Sequence, residues 1–387
     1  MRTGGIDRQE QMAAEDKSEG EESPQREPDY TVGLLADPGI AQTLAGRVLQ
    51  PVRHTLNTRD EGGKLWEIDS DRQSLPVSAA GRVMINDHAE SLGKRLGWDY
   101  VVYLTDIPQY VEGRPVRMIV SSAHRVATIV VPMMGLARRR TLIDWVLRAI
   151  KELHEDNETP EPSVKMPDRL LSMTGSVVHE QEPEDRFSTV EGLSGRLLLV
   201  FGMVRSNRPW RLVPRLSSAM AGAAATGAFG VFYTSIWQMA DYLSAARLTL
   251  ITLTSLAVLT TWLIMHNRLW ESPRGVRRRE RWVLYNVATL VTVGLAAAAM
   301  YLVLYGVLLL GALAVIDIEF LSEQLGHEAS LDEYLNLAWL AASLGTMGGA
   351  IGSSFDDEQA VRQATFSHRE YERRNLQLEE EDEESGE

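Results

Sequence analysis

The sequence predicts a two-part protein: a cytoplasmic α/β (or α+β) domain with a mixed sheet, then an all-α transmembrane bundle of four helices, with five as the alternative. Three observations predict it. Residues 31–153 alternate short β-prone runs with helical patterns. Residues 216–355 contain uncharged apolar stretches, most of them long enough to cross a bilayer. Arginines gather at one end of those stretches and carboxylates at the other.

Residues 1–30 read as a disordered acidic tail, with nine acidic and four basic side chains. They offer too little apolar surface to offset ordering entropy, and they lack the apolar core of a secretory signal. TVGLLA (31–36) is the first predicted strand. Asp37 and Pro38 then make a helix start, the carboxylate capping free N–H groups and proline filling the first turn. The following helical pattern runs to about residue 56, with Pro51 expected to kink or end it. KLWEIDS (64–70) is a second strand, residues 77–97 a second helix stopping at Gly97, and DYVVYLTDIP (99–108) a third strand. VRMIVSSA and RVATIVVPMMG add two strands, and residues 136–154 form a closing helix. About 120 residues suffice for one core.

Proline- and acid-rich residues 154–192 read as a linker. Residues 193–215 are too short an apolar run to span, but Arg205, Arg208, Arg211, Arg215 and Trp210 suit a headgroup-level segment. Spans are expected at about 216–240, 243–265, 282–312 and 334–355. The third lies in a 35-residue uncharged run, either one protruding helix or, in the five-span alternative, a hairpin. Loop 266–282 carries six arginines, including Arg274, Arg277, Arg278, Arg279 and Arg281, whereas 317–333 carries six acids and no Lys or Arg. The positive-inside rule makes these arginines topology anchors and places both termini in the cytoplasm of a plasma-membrane protein. In the last span Gly345, Gly349 and Ser353 continue a small-residue face that suits close helix packing, within the chain or between copies in a homo-oligomer. Residues 356–387 form a second acidic tail.

No phosphate-binding glycine loop, HExxH or GxSxG is present, and the eight histidines show no ligand spacing. No cofactor, metal or nucleic-acid partner is therefore expected. There is no cysteine, which excludes disulfides and thiolate sites. Asp106, Arg114 and His124 are the only candidates for chemistry, His124 as a general base supported by the Asp106 carboxylate. Expected partners are the lipid bilayer and a protein bound by the cytoplasmic domain. The leading reading is a non-enzymatic scaffold or regulatory protein. A membrane-bound enzyme with a site in that domain and a small transporter or channel are the alternatives.

The stretches YLTDIP, EGRPV, IVVPMMG, GMVRSNRPWRLVP and LAWLAASLGTMGGAIGSSFDDEQAVR resemble an uncharacterised family of actinobacterial multi-pass membrane proteins. The resemblance covers about residues 31–362 and implies no activity. The strand ending in TDIP, followed by RPV and a VVP strand, is also similar to the strand order of archaemetzincin-like zincins. Without HExxH, that likeness implies a non-catalytic relative used for binding.

Overall fold

The computed structural model describes residues 27–59, 63–77, 82–111, 114–135, 139–158, 176–182, 185–190, 192–271, 279–367 and 370–371. The N-terminal acidic tail lies almost wholly outside these residues, as do Arg274, Arg277 and Arg278. The first part of the expected C-terminal tail is described instead and folds as a helix, Glu358–Thr365, whose Val361 and Ala364 pack with Val293 and Ala296.

The N-terminal part is a mixed sheet flanked by helices. Its strands are β1 (Tyr30–Ala36), β2 (Trp66–Arg72), β3 (Tyr100–Thr105), β4 (Gln109–Val111), β5 (Arg114–Ser121), β6 (Val126–Val130), β7 (Ser176–Glu182) and β8 (Asp185–Val190). Seven lie in the order β2-β1-β3-β6-β5-β8-β7, and short β4 pairs with β5. β2, β1, β3 and β6 run parallel, whereas β5, β8 and β7 continue antiparallel. Central strands buried on both faces explain the unbroken apolar runs of β3 and β6. Helices α1 (Ile40–Arg59) and α3 (Arg139–Glu158) cover one face through a core that includes Val48, Val102, Ile129 and Ile150. On the other face α2 (Asn86–Leu96) packs with Leu35, Val101 and Tyr103. There the Trp98 ring lies over Gly33, where a Cβ would come within 1.8 Å of it.

Three expectations change here. Pro51 does not end α1, because the Arg47 carbonyl that proline leaves without a helical donor is taken by the Arg139 Nε–H of α3 at 2.8 Å. The second helix begins at Asn86 rather than near 77, since Val77 and Val83 form an antiparallel bridge first; it does end on left-handed Gly97. Finally, part of the proposed linker is sheet. β7 and β8 form a hairpin, and β8 pairs with β5, which would otherwise be an exposed edge.

The helical part comprises α4 (Gly192–Asn207), two 3₁₀ turns (Pro209–Arg211 and Val213–Arg215), α5 (Ser217–Phe232), α6 (Thr234–Tyr242), α7 (Ala245–His266), α8 (Arg279–Val315), α9 (Ile318–Leu325), α10 (Leu331–Gly352), a 3₁₀ turn (Ser353–Phe355) and α11 (Glu358–Thr365). Two of these are long and apolar enough to cross a membrane: α7 and the Trp282–Val315 stretch of α8. The pair α5 and α6 makes a third if counted as one broken span.

The expected span 216–240 is not straight, since α5 and α6 meet at 85°. The Trp237 indole N–H donates to the Val231 carbonyl at 3.1 Å, satisfying backbone freed by the break. The 35-residue uncharged run is one helix. At 37 residues α8 is about 55 Å long, against a hydrocarbon core of about 30 Å. Its excess length is used: Tyr285 and Ala288 near its start pack with α4 in a core shared with the sheet domain.

α5 and α10 pack antiparallel through small residues. A Cβ at Gly345 would stand 2.6 Å from the Ala223 carbonyl oxygen, and one at Gly349 would stand 3.0 Å from that of Ala219. Ser353 is buried and donates to the Ala350 carbonyl. Beyond them, Asp356 accepts from the Ser218 and Ala219 N–H groups at 2.8 and 3.2 Å, capping α5 from the chain that leaves α10. Gly345 and Gly349 thus serve packing within the chain, and that face is not open to a second copy.

Candidate functional site at the junction of sheet and helices

In open α/β sheets, ligands bind outside the carboxyl ends of the parallel strands, where neighbouring crossovers leave on opposite faces and open a crevice. Here that point lies between β1 and β3, because the chain leaves β1 for β2 on one side and leaves β3 for β5 and β6 on the other. Asp37 directly follows β1 and Asp106 directly follows β3, and both side chains are buried.

Asp37 is fully held. Its Oδ1 accepts from the Tyr103 hydroxyl at 2.5 Å, and its Oδ2 accepts from the Thr105 hydroxyl at 2.7 Å and the Asp106 N–H at 3.0 Å. The carboxylate that sequence reading assigned to capping α1 therefore ties β1 to β3. Asp106 faces the start of that helix instead, its Oδ2 accepting a long hydrogen bond from the Ala41 N–H at 3.5 Å. Gly39, at φ +131°, leaves room for it, since a Cβ there would lie 3.0 Å from Oδ2. Dinucleotide-binding α/β folds place a phosphate at the start of the helix that follows their first strand; this chain places its own side chain at that position.

Asp106 Oδ1 is buried and has no hydrogen-bond partner among the described residues. Burial, and next the charge of Asp37, push the carboxyl up to about 7, against the opposing pull of the α1 backbone N–H groups and the Arg208 charge. The group faces a narrow cleft whose far wall includes Ser206 and Asn207 of α4, Thr289 of α8, Ser367 and Glu370. Its free volume is about 10 Å³, enough for about one water. The walls are fixed by apolar contact: Val130, Met133 and Val190 of the sheet domain pack with Leu199, Met203 and Val204 of α4. Gly202 lets α4 approach the Pro132 backbone, where a Cβ would come within 1.7 Å of the carbonyl oxygen.

The three sequence candidates do not converge. Arg114 begins β5 and is exposed, on the strand end that pairs with β4. His124 is exposed in the turn between β5 and β6. The pairing of Val101 with Val126 and of Thr105 with Val130 puts that turn at the opposite end of β3 from Asp106. Five residues at about 3.3 Å each separate them, so His124 and Asp106 form no acid–base pair. Asp37 went unrecognised as a partner of Asp106; the available signal was an aspartate closing each of two predicted strands, in LADPG and LTDIP. Among the described residues, no three His, Asp or Glu side chains are grouped to hold a metal ion. Comparison with family models, curated proteins and solved structures gives no match for this chain.

Proposed function

We propose that the chain is a multi-pass plasma-membrane protein that acts as a non-enzymatic scaffold or regulatory protein through a cytoplasmic α/β domain. The observation that carries this reading is the closed crevice. Asp106 occupies the place at the start of α1 where a bound anion would sit, and the cleft beside it holds about one water. A domain whose customary ligand position is filled by its own side chain and walled by membrane helices is suited to transmitting contact.

Four crossings, by α5 with α6, α7, α8 and α10, put both termini on the cytoplasmic side. Charge supports that orientation. The acids of 317–333 cluster around α9 and the start of α10, and loop 266–282 with its arginines joins the other ends of α7 and α8. α10 is built from Gly, Ala, Ser and Thr as well as Leu, and it packs inside the helices more than against lipid, which lowers its apolarity without removing it from the bundle.

Affinity purification from gently solubilised membranes tests the scaffold. A partner recovered at fixed stoichiometry supports it, and a small-molecule ligand that raises the melting temperature of the purified chain by several degrees overturns it in favour of an enzyme. The enzyme reading keeps one specific observation, the Asp106 carboxyl raised to about 7, whose buried Oδ1 has no hydrogen-bond partner among the described residues.

A further inference from the structure

The cleft beside Asp106 is lined by two carboxyl-bearing residues, Asp106 and Glu370, which are 3 and 5% exposed. Among the described residues, no Lys, Arg or His lines it. Asp106 Oδ2 is turned to the start of α1, which leaves Oδ1, without a partner among the described residues, to the cleft. A buried oxygen that the chain itself does not satisfy is ordinarily met by a water or an ion.

The rest of the wall offers acceptors. The Thr289 hydroxyl spends its proton on the Tyr285 carbonyl at 3.1 Å and keeps its lone pairs. Asn207 turns its amide nitrogen to the Thr292 hydroxyl at 3.2 Å and its Oδ1 to the Ser367 N–H at 3.1 Å. Ser367 Oγ accepts a long hydrogen bond from the Glu370 N–H at 3.4 Å. Four parts of the chain, the end of β3, α4, α8 and the segment after α11, thus bring oxygens to one space of about 10 Å³. Acceptors set around a buried carboxyl suit a positive ion between them. Charge points the same way: beside Asp37, Asp106 and Glu370 stands Arg208, whose charge reaches Asp106 although it does not line the cleft. Oxygen donors alone select a hard cation. Magnesium would bring several waters for which there is no room, and calcium would take six to eight oxygens, commonly with more carboxylates than these two. A single charge of about the volume of one water remains.

We propose that the cleft is a binding site for one sodium ion, held by the carboxyl groups of Asp106 and Glu370 with the oxygens of Asn207, Thr289 and Ser367. The ion ties the sheet domain to α4, α8 and the segment after α11. Such a site goes beyond the scaffold reading and does not depend on it. Ligand spacing along the sequence does not reveal it, because its oxygens come from four separate elements.

The melting temperature of the full-length protein in detergent is followed at pH 8 while sodium chloride replaces choline chloride at constant ionic strength. Sodium should raise it by about 4 °C, and the rise should saturate, as a bound ion requires. Asp106→Asn should lose the rise. Thr289→Val and Ser367→Ala, combined in a second variant, leave both carboxyl groups in place, and half-saturation should then need about tenfold more sodium. Equal melting in sodium and choline overturns the proposal, with a water as the occupant. A rise that never saturates, or that survives undiminished in Asp106→Asn, also overturns it, since sodium would then act as a bulk salt. So does an unchanged half-saturation in the Thr289 and Ser367 variant, since the ion would then bind elsewhere.

Discussion

The Asp106 N–H donates to Asp37 Oδ2 at 3.0 Å, so the residues that follow β1 and β3 are joined directly while their two buried carboxyl groups sit side by side. Two buried carboxylates repel, and only one is fully hydrogen-bonded. The proton therefore belongs to Asp106, which is raised to about 7.

Asp106 is predicted to make stability fall with rising pH. Its folded value lies above its ordinary 3.8, so the folded state holds more protons across the window from 3.8 to about 7, and stability decreases as pH climbs through it. The loss is on the order of a few kcal/mol. Asp106→Asn should abolish this slope and raise the melting temperature of the detergent-solubilised protein more at pH 8 than at pH 5. Parallel pH profiles for the two proteins would refute the assignment.

Tyr103→Phe is predicted to destabilise. It leaves Asp37 Oδ1 buried without the donor it now has at 2.5 Å, a loss of about 1–3 kcal/mol. Chemical denaturation should show a lower midpoint at neutral pH. An unchanged midpoint would mean that Asp37 finds another partner.

Enlarging the small-residue seam should separate α5 from α10. Gly345→Val forces side-chain atoms into the Ala223 backbone and should cost about 1–3 kcal/mol, visible as a lower melting temperature or a smaller folded yield. Gly311→Ala on α8, where a Cβ would meet nothing within 4 Å, is the control and should behave as wild type.

A fragment ending at Glu158 is predicted to aggregate. It lacks β8, which covers the β5 edge, and α4, which covers Val130 and Met133. Extending the fragment to Asn207 restores both, and in mild detergent it should elute as a single species with a cooperative melt. A soluble, cooperatively melting fragment ending at Glu158 would show that these contacts are dispensable.

Orientation is the last prediction. A reporter fused after Phe355 should read cytoplasmic and one inserted near His327 exterior. Neutralising Arg274, Arg277, Arg278, Arg279 and Arg281 should scramble this pattern or lower membrane yield. A cytoplasmic signal at His327 would refute four crossings.

The sequence by itself determined the division into a strand–helix domain and an apolar helical part, because both are written in local periodicity and in uncharged runs. β1, β3, β5 and β6 follow their apolar segments, the stop at Gly97 follows from backbone freedom, and the seam of Gly345 and Gly349 follows from spacing alone. Only the tertiary structure decided what each element meets. β7 and β8 lie in polar, proline-flanked chain whose strand character depends on the open edge of β5. Pro51 passes through α1 because a side chain 88 positions later, Arg139, satisfies the carbonyl it orphans. The separation of His124 from Asp106 follows from strand direction, and the pairing of Asp37 with Asp106 from strand order. Neither is encoded in the spacing of residues along the chain, because a sheet brings together strand ends that are distant in sequence.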